Sequence, residues 1–172
     1  FHKPAGIVCT TSKIDKNNVI DYLNFPERIY PVGRLDKEST GLLLLTNNGQ
    51  LMDDILRGSN YHEKEYIVHV NKPITDSVLQ AMAQGVPILD TITRPCKIRR
   101  MGKDCFYITL TQGLNRQIRR MCEYFDYRVT SLKRIRIMNI ELGSLPVGKW
   151  RELTPSEIKT LKNLAQNKGE AE

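Results

Sequence analysis

Apolar positions along this chain recur at two spacings, and the switches between them predict its elements. Lys64 to Val70 alternates, with Tyr66, Val68 and Val70 on one side and Glu65, Ile67 and His69 on the other. That two-residue period is the signature of a strand buried on one face, with Tyr66 pointing inward. Leu42-Leu43-Leu44-Leu45-Thr46 is an apolar run too short for a helix, closed by Asn47-Asn48-Gly49, whose residues tolerate positive φ. A buried strand ending in a turn is expected there. Ile7 to Thr10 and Tyr30 to Val32 read as short strands. Val86 to Arg100, Phe106 to Thr111 and Val129 to Leu142 read as further strand regions, the first two joined by the turn Met101-Gly102-Lys103-Asp104.

Helical spacing takes over between these stretches. Val19, Ile20 and Leu23 predict a short helix ended by Phe25-Pro26, and Leu51, Met52, Ile55 and Leu56 a second one stopped by Gly58. Thr75 caps a helix carrying Val78, Leu79 and Met82 that ends at Gly85. Asn115 is the expected N-cap of a helix that buries Ile118, Met121, Cys122 and Phe125. Thr154-Pro155-Ser156-Glu157 combines a capping box with proline at the first helical position, and starts a last helix bearing Ile158, Leu161 and Leu164. Strands outnumber helices and hairpin-like spacings recur, so the pattern predicts an α+β sheet with flanking helices over a regular βαβ winding.

A length of 172 residues suits one core. One domain is expected over 1–162, followed by a polar tail over 163–172 that frays. With 40% hydrophobic and 26% charged residues the composition is that of a globular chain, which excludes a disordered one. No apolar run approaches the roughly 20 residues of a membrane span. The start lacks a signal-peptide pattern, so the cytoplasm is the expected compartment. Because the chain opens at Phe1 and leads at once into Lys3-Pro4-Ala5-Gly6, it is expected to be cut from something longer. A formal net charge of +7 suits a polyanionic partner, although many basic proteins bind none. Cys9, Cys96, Cys105 and Cys122 are scattered without the two-residue separation of a zinc or redox pair, and His2, His62 and His69 lack helical metal-pair spacing. Reduced packing cysteines and no metal are expected, and with no phosphate-binding glycine loop, no nucleotide cofactor either.

Against that background two clusters carry candidate chemistry. In Arg34-Leu35-Asp36-Lys37 the flanking cations would keep the Asp36 carboxylate ionised, and an ionised, held carboxylate can act as a nucleophile. A turn aspartate in a surface ion pair is the competing reading, and spacing alone favours it. From Gly113 to Arg136, seven cations (Arg116, Arg119, Arg120, Arg128, Lys133, Arg134 and Arg136) stand against Glu123 and Asp126. At about 100° per residue, Arg116 and Arg120 project away from the apolar face, where phosphate contact and a solvated surface compete evenly. Arg119 sits at the border of that face and either points into a cleft or pairs with Glu123. Tyr66 reads most simply as a core residue, and at a cleft edge as a surface for base stacking. Lys97, Arg99 and Arg100 form a basic strand that either touches phosphates or keeps a sheet edge soluble.

Taken in order, these segments resemble the pseudouridine synthases, in the branch that acts on ribosomal RNA. Lys3-Pro4-Ala5-Gly6 is similar to that family's opening motif, Gly33 to Gly41 to its nucleophile motif, and Lys64-Glu65-Tyr66 to the strand bearing its active-site tyrosine. Arg116-Gln117-Ile118-Arg119-Arg120-Met121 resembles its arginine-rich helix, and Leu132-Lys133-Arg134 the strand that follows. Within the branch, residues 60–76 and 134–139 look most like a large-subunit enzyme. Members usually carry an S4-type RNA-binding domain ahead of the catalytic one, which is expected to be absent from this chain.

The resemblance implies a central mixed, mostly antiparallel sheet in two subdomains with flanking helices, divided by a basic cleft. It makes Asp36 the nucleophile of a uridine-to-pseudouridine isomerisation that needs no cofactor. Tyr66 would stack on the uracil and Arg119 would hold Asp36. Arg34, Leu35, Lys37, Arg116, Gln117, Ile118, Arg120 and Arg134 would contact RNA. The implied partner is ribosomal RNA, a large-subunit stem-loop before others, with transfer RNA a second candidate, and the chain is expected to be a monomer. Two other classes stay open: a noncatalytic RNA-binding or ribosome-assembly protein on the same fold, and an unrelated carboxylate hydrolase. The hydrolase would want a second acid or a metal site, and none stands at a convincing spacing.

Overall fold

The computed structural model describes residues 1–57 and 61–166. In chain order the elements are β1 (His2–Lys3), α1 (Val19–Leu23), β2 (Tyr30–Val32), β3 (Thr40–Leu42), β4 (Leu44–Thr46), α2 (Gly49–Leu56), β5 (Lys64–Val70) and α3 (Asp76–Gln84). They continue as β6 (Pro87–Ile88), β7 (Thr91–Ile92), β8 (Lys97–Arg100), β9 (Cys105–Leu110), α4 (Gln117–Tyr124), β10 (Val129–Ile137), β11 (Ile140–Glu141) and α5 (Pro155–Gln166). The main sheet has the order β1-β3-β10-β5-β9-β8, with β11 paired to β10. Its β10–β3 pairing is parallel and its other described pairings are antiparallel. The α+β sheet predicted by the pattern is therefore present, and it is mixed and mostly antiparallel, as the resemblance implies.

Strand β5 sits centrally because its alternating residues have somewhere to go: Val68 and Val70 are buried in a core shared with Met82, Phe106, Ile108 and Met121. A second core joins Leu42 and Leu44 to Ile55, Ile137 and Leu161, and a third joins Leu43 to Cys9, Val19 and Leu35. Tyr66, half-buried, packs against the first and third cores.

This arrangement corrects the leucine run. Leu42, Leu43 and Leu44 are all buried, which one strand with a period of two and a single buried face does not allow. The chain instead breaks at Leu43, whose N–H donates to the Phe1 carbonyl at 2.9 Å. β3 then pairs in the main sheet and β4 pairs separately with β2. Ile7 to Thr10 is likewise not a strand; its one ladder contact is an isolated bridge between Val8 and Asn18, and the N-terminal strand lies at His2–Lys3.

The helix boundaries follow local chemistry. The Asn18 side chain caps α1 through the Asp21 N–H, and Asn24 ends that helix in the left-handed region. Asn48 caps α2 and Thr75 caps α3; the stop expected at Gly58 lies outside the described residues. The capping box of α5 closes both ways: Thr154 N–H donates to Glu157 Oε1 at 2.9 Å, and Glu157 N–H to Thr154 Oγ1 at 3.1 Å. That helix runs through Gln166, so residues 163–166 are not a tail. Its buried contacts are Leu161 and Ala165, while the expected Leu164 is exposed. Among the described residues no helix is long and apolar enough to cross a membrane. All four cysteines are free, and burial pushes the Cys96 thiol up to about 11 and the Cys122 thiol to about 12.

Candidate active-site cleft

The segment holding Asp36 is fixed from both ends. Asp36 opens a turn in which the Ser39 N–H donates back to its carbonyl at 3.0 Å. Beneath the turn lies Lys3, fully buried, whose Nζ donates to the carbonyls of Pro4 at 2.8 Å, Ser39 at 2.8 Å and Lys37 at 3.2 Å. An ammonium taken out of water needs such partners. Burial lowers its pKa, against the pull of the nearby Cys9, Glu38 and Asp36. Past the turn, Gly41 (φ +112°) lets β3 lie against β10, since a Cβ there would collide with the Arg134 backbone. Lys3 and Ser39 were missed as site residues because a lysine and a serine in a polar stretch give no signal of burial.

The cations that meet Asp36 come from α4, not from its chain neighbours. Arg119 Nε lies 3.3 Å and Arg116 Nη1 3.4 Å from Asp36 Oδ2. Arg119 also donates through Nη2 to Ser39 Oγ at 2.9 Å, and Arg116 Nη2 pairs with Glu38 Oε1 at 2.7 Å. The expectation that Arg34 and Lys37 flank the carboxylate is therefore corrected. Both side chains are exposed, and each residue is bonded through its carbonyl, that of Arg34 accepting from Arg134 and that of Lys37 from Lys3. Nor does Arg119 pair with Glu123; its side chain is 10% exposed, so it needs the carboxylate and hydroxyl it meets inside. The Arg116 hydrogen bond holds the Glu38 carboxyl below the usual range, and the same bond raises Arg116. Glu38 is a further residue that sequence reasoning missed.

Helix α4 begins in an unexpected way. Arg116, with φ +48°, occupies the N-cap position without a side-chain cap, in place of Asn115. Asn115 is engaged elsewhere: Arg120 donates to its carbonyl and to its Oδ1, each at 2.9 Å. Gln117 Oε1 accepts from the Leu114 N–H at 3.2 Å, which braces the turn leading into the helix. The left-handed start swings Arg116 toward Asp36 and folds Arg120 back on Asn115.

Between these groups and β5 lies a cleft of about 490 Å³. Its lining includes Arg34, Leu35, Asp36 and Ser39, residues 110–119 of the β9–α4 connection and α4, and His62, Lys64, Tyr66 and Arg134. Of the candidate site residues, Asp36, Tyr66, Arg119, Arg34, Leu35, Arg116, Gln117, Ile118 and Arg134 line it, whereas Lys37 and Arg120 do not. Lys64 is held below its ordinary pKa by burial and by Arg134. The basic strand β8 lies at the sheet edge, with Arg100 tied to Asp76 and Lys97 to Glu63. Chemically, the cleft presents one carboxylate gripped by two guanidinium groups, with a tyrosine among its lining residues.

Three comparisons bear on this geometry. A family model described as RNA pseudouridylate synthase matches residues 1–124. The dual-specificity RNA pseudouridine synthase RluF of Salmonella typhi is 54% identical over 166 residues, which are 96% of this chain and 57% of that protein. Ribosomal large subunit pseudouridine synthase B of Bacillus subtilis is 34% identical over 97% of this chain and 72% of its own length. A solved structure described as a pseudouridylate synthase superposes with a TM-score of 0.85 at 32% identity, covering 94% of this chain and 71% of the other. The chain thus spans little more than half the length of the Salmonella relative.

Proposed function

Because this chain belongs to the RNA pseudouridylate synthase family, we propose that it isomerises a uridine of ribosomal RNA to pseudouridine, with Asp36 as the nucleophile. The observation that carries the reading is the Asp36 carboxylate, gripped by Arg119 and Arg116 in a cleft that Tyr66 also lines. The reaction breaks the N1–C1′ bond of uridine, turns the freed uracil, joins C5 to C1′ and moves the C5 proton away; no atom is gained or lost. A carboxylate poised at C1′ stabilises the electron-poor sugar as the base leaves, as one half of a glycosidase pair does. Its two arginines pair with it and aim it, while Tyr66 offers a stacking face to the base and a hydroxyl for the C5 proton.

A uridine inside folded RNA must be turned out of its stack before Asp36 can reach it, at a cost of a few kcal/mol that new contacts offset. Arg34 stands at the cleft lip and is the candidate wedge, with Arg116 and Gln117 meeting the RNA on the opposite wall. Recognition is of a stem-loop with splayed bases, since side chains do not read the deep groove of an A-form helix. The name of the Bacillus relative supports large-subunit ribosomal RNA as substrate, and the term dual-specificity in the name of the Salmonella relative leaves room for a second RNA, for which transfer RNA is the candidate. A cytoplasmic monomer is the form assigned to this activity. The test is chemical mapping of pseudouridine in RNA from cells with and without the protein. One ribosomal position should lose its signal in the deleted cells, and identical maps would contradict the reading.

A further inference from the structure

Two buried polar atoms in the wall of the cleft have no hydrogen-bond partner among the described residues: His62 Nε2 and Arg134 Nη2. His62 is 8% exposed and Arg134 3% exposed, and both line the cavity that holds Asp36. Each side chain is anchored through its other atoms. His62 Nδ1 lies 2.9 Å from the Ile55 carbonyl oxygen. A carbonyl only accepts, so Nδ1 carries the proton, and Nε2 of the neutral ring keeps its lone pair. The Arg134 guanidinium donates through Nε to the Leu42 carbonyl at 2.9 Å and through Nη1 to the Arg34 carbonyl at 3.4 Å, which leaves Nη2 with hydrogens to give. Buried groups left unpaired are costly and rare, and a ligand is a common reason for them.

Two residues that line the cleft therefore hold an unpaired acceptor and an unpaired donor. The imide edge of uracil is their complement, an N3–H between two carbonyl oxygens. Cytosine is not: its N3 carries a lone pair that would face the lone pair of His62, and its C4 carries an amino donor. We propose that His62 and Arg134 read the uracil base, with Nε2 accepting the N3–H and Arg134 Nη2 donating to a flanking carbonyl oxygen. This rests on the reading of the cleft as a uridine-isomerising site and adds to it the means of base selection. The edge also suits the rearrangement. N1 and C5 both flank C6, so the turn that exchanges them runs about the line through C6 and N3. N3–H stays on that axis while the two carbonyls trade places, and a base held by this edge keeps its hold throughout. Strand β5 begins at Lys64, two residues after His62, and carries Tyr66 two further on, so the edge-reading and face-stacking groups belong to one stretch of chain.

The experiment compares His62→Asn with His62→Gln in single-turnover conversion of unmodified large-subunit ribosomal RNA transcribed in vitro. Asparagine keeps an N–H for the Ile55 carbonyl and places nothing where Nε2 stood; glutamine places an amide oxygen there and gives up the Ile55 bond. His62→Asn is expected to slow conversion about tenfold or more with RNA affinity and thermal midpoint close to wild type. His62→Gln is expected to recover most of the rate while melting earlier. Wild-type conversion by His62→Asn overturns the proposal, as does a loss of rate in both variants that merely follows their melting temperatures. A wild-type protein that makes no pseudouridine in any ribosomal RNA overturns the parent reading and this one with it, an outcome distinct from an active wild type with an indifferent His62→Asn.

Discussion

The carboxylate of Asp36 is defined by residues some eighty positions away. Its immediate neighbours are cationic, and a reading along the chain naturally assigns them the task of holding its charge, yet Arg119 and Arg116 do so across the cleft. Arg119 is tied to both Asp36 and Ser39, so it sets the position of the carboxylate as well as its charge. We expect Arg119→Met to lower the single-turnover rate by about two orders of magnitude, the scale on which misplaced catalytic groups cost activity. RNA affinity should change little; a defect seen mainly as steeper salt sensitivity of binding would instead make Arg119 a phosphate contact. The identity of Asp36 as a candidate was legible from its motif. Its partners were not, because a contact between residues 36 and 119 leaves no periodic trace in either segment.

At the scale of elements, periodicity located strands and helices well where one face is buried, as in β5 and α3, and failed where consecutive residues are buried. The run Leu42 to Thr46 is such a case: its break at Leu43 depends on two sheets that only the folded chain supplies. Gly41 makes that junction possible, and Gly41→Ala should destabilise the protein by about 3 kcal/mol or more, read from urea unfolding, since it combines a positive φ with a backbone collision. Helix α5 carries a separate test. The Arg151 guanidinium and the Thr154 N–H hold the Glu157 carboxyl down to about 2, from an ordinary 4.5. A carboxyl lowered on folding contributes stability that is fully present above pH 4.5 and is lost as pH falls from there toward 2. The thermal midpoint of the wild type should accordingly drop through that window, and Glu157→Gln should show a shallower drop. Parallel curves would mean that the pair adds nothing to folding. The start of α4 differs from the expectation for a physical reason as well: Asn115 is a good cap by type, but Arg120 takes its side-chain oxygen and the helix begins at Arg116 without a side-chain cap.

For the whole molecule, an α+β sheet followed from the balance of strands and helices, whereas the basic cleft followed from the family resemblance and is in keeping with a net charge of +7. The convergence of Asp36, Tyr66 and Arg119 in one cavity required the folded sheet, which brings β5, β10 and the Asp36 turn together. If Arg34 meets a phosphate as the RNA enters, Arg34→Ala should reduce the slope of log affinity against log salt by about 1, and an unchanged slope would place Arg34 off the RNA path. The central claim is that the Asp36 carboxylate performs the isomerisation, and Asp36→Asn tests it most directly because the exchange keeps shape while removing the charge. Pseudouridine mapping on large-subunit ribosomal RNA should show product with wild type and none with Asp36→Asn, at closely similar RNA affinity. Product formed by Asp36→Asn at the wild-type rate would contradict the account.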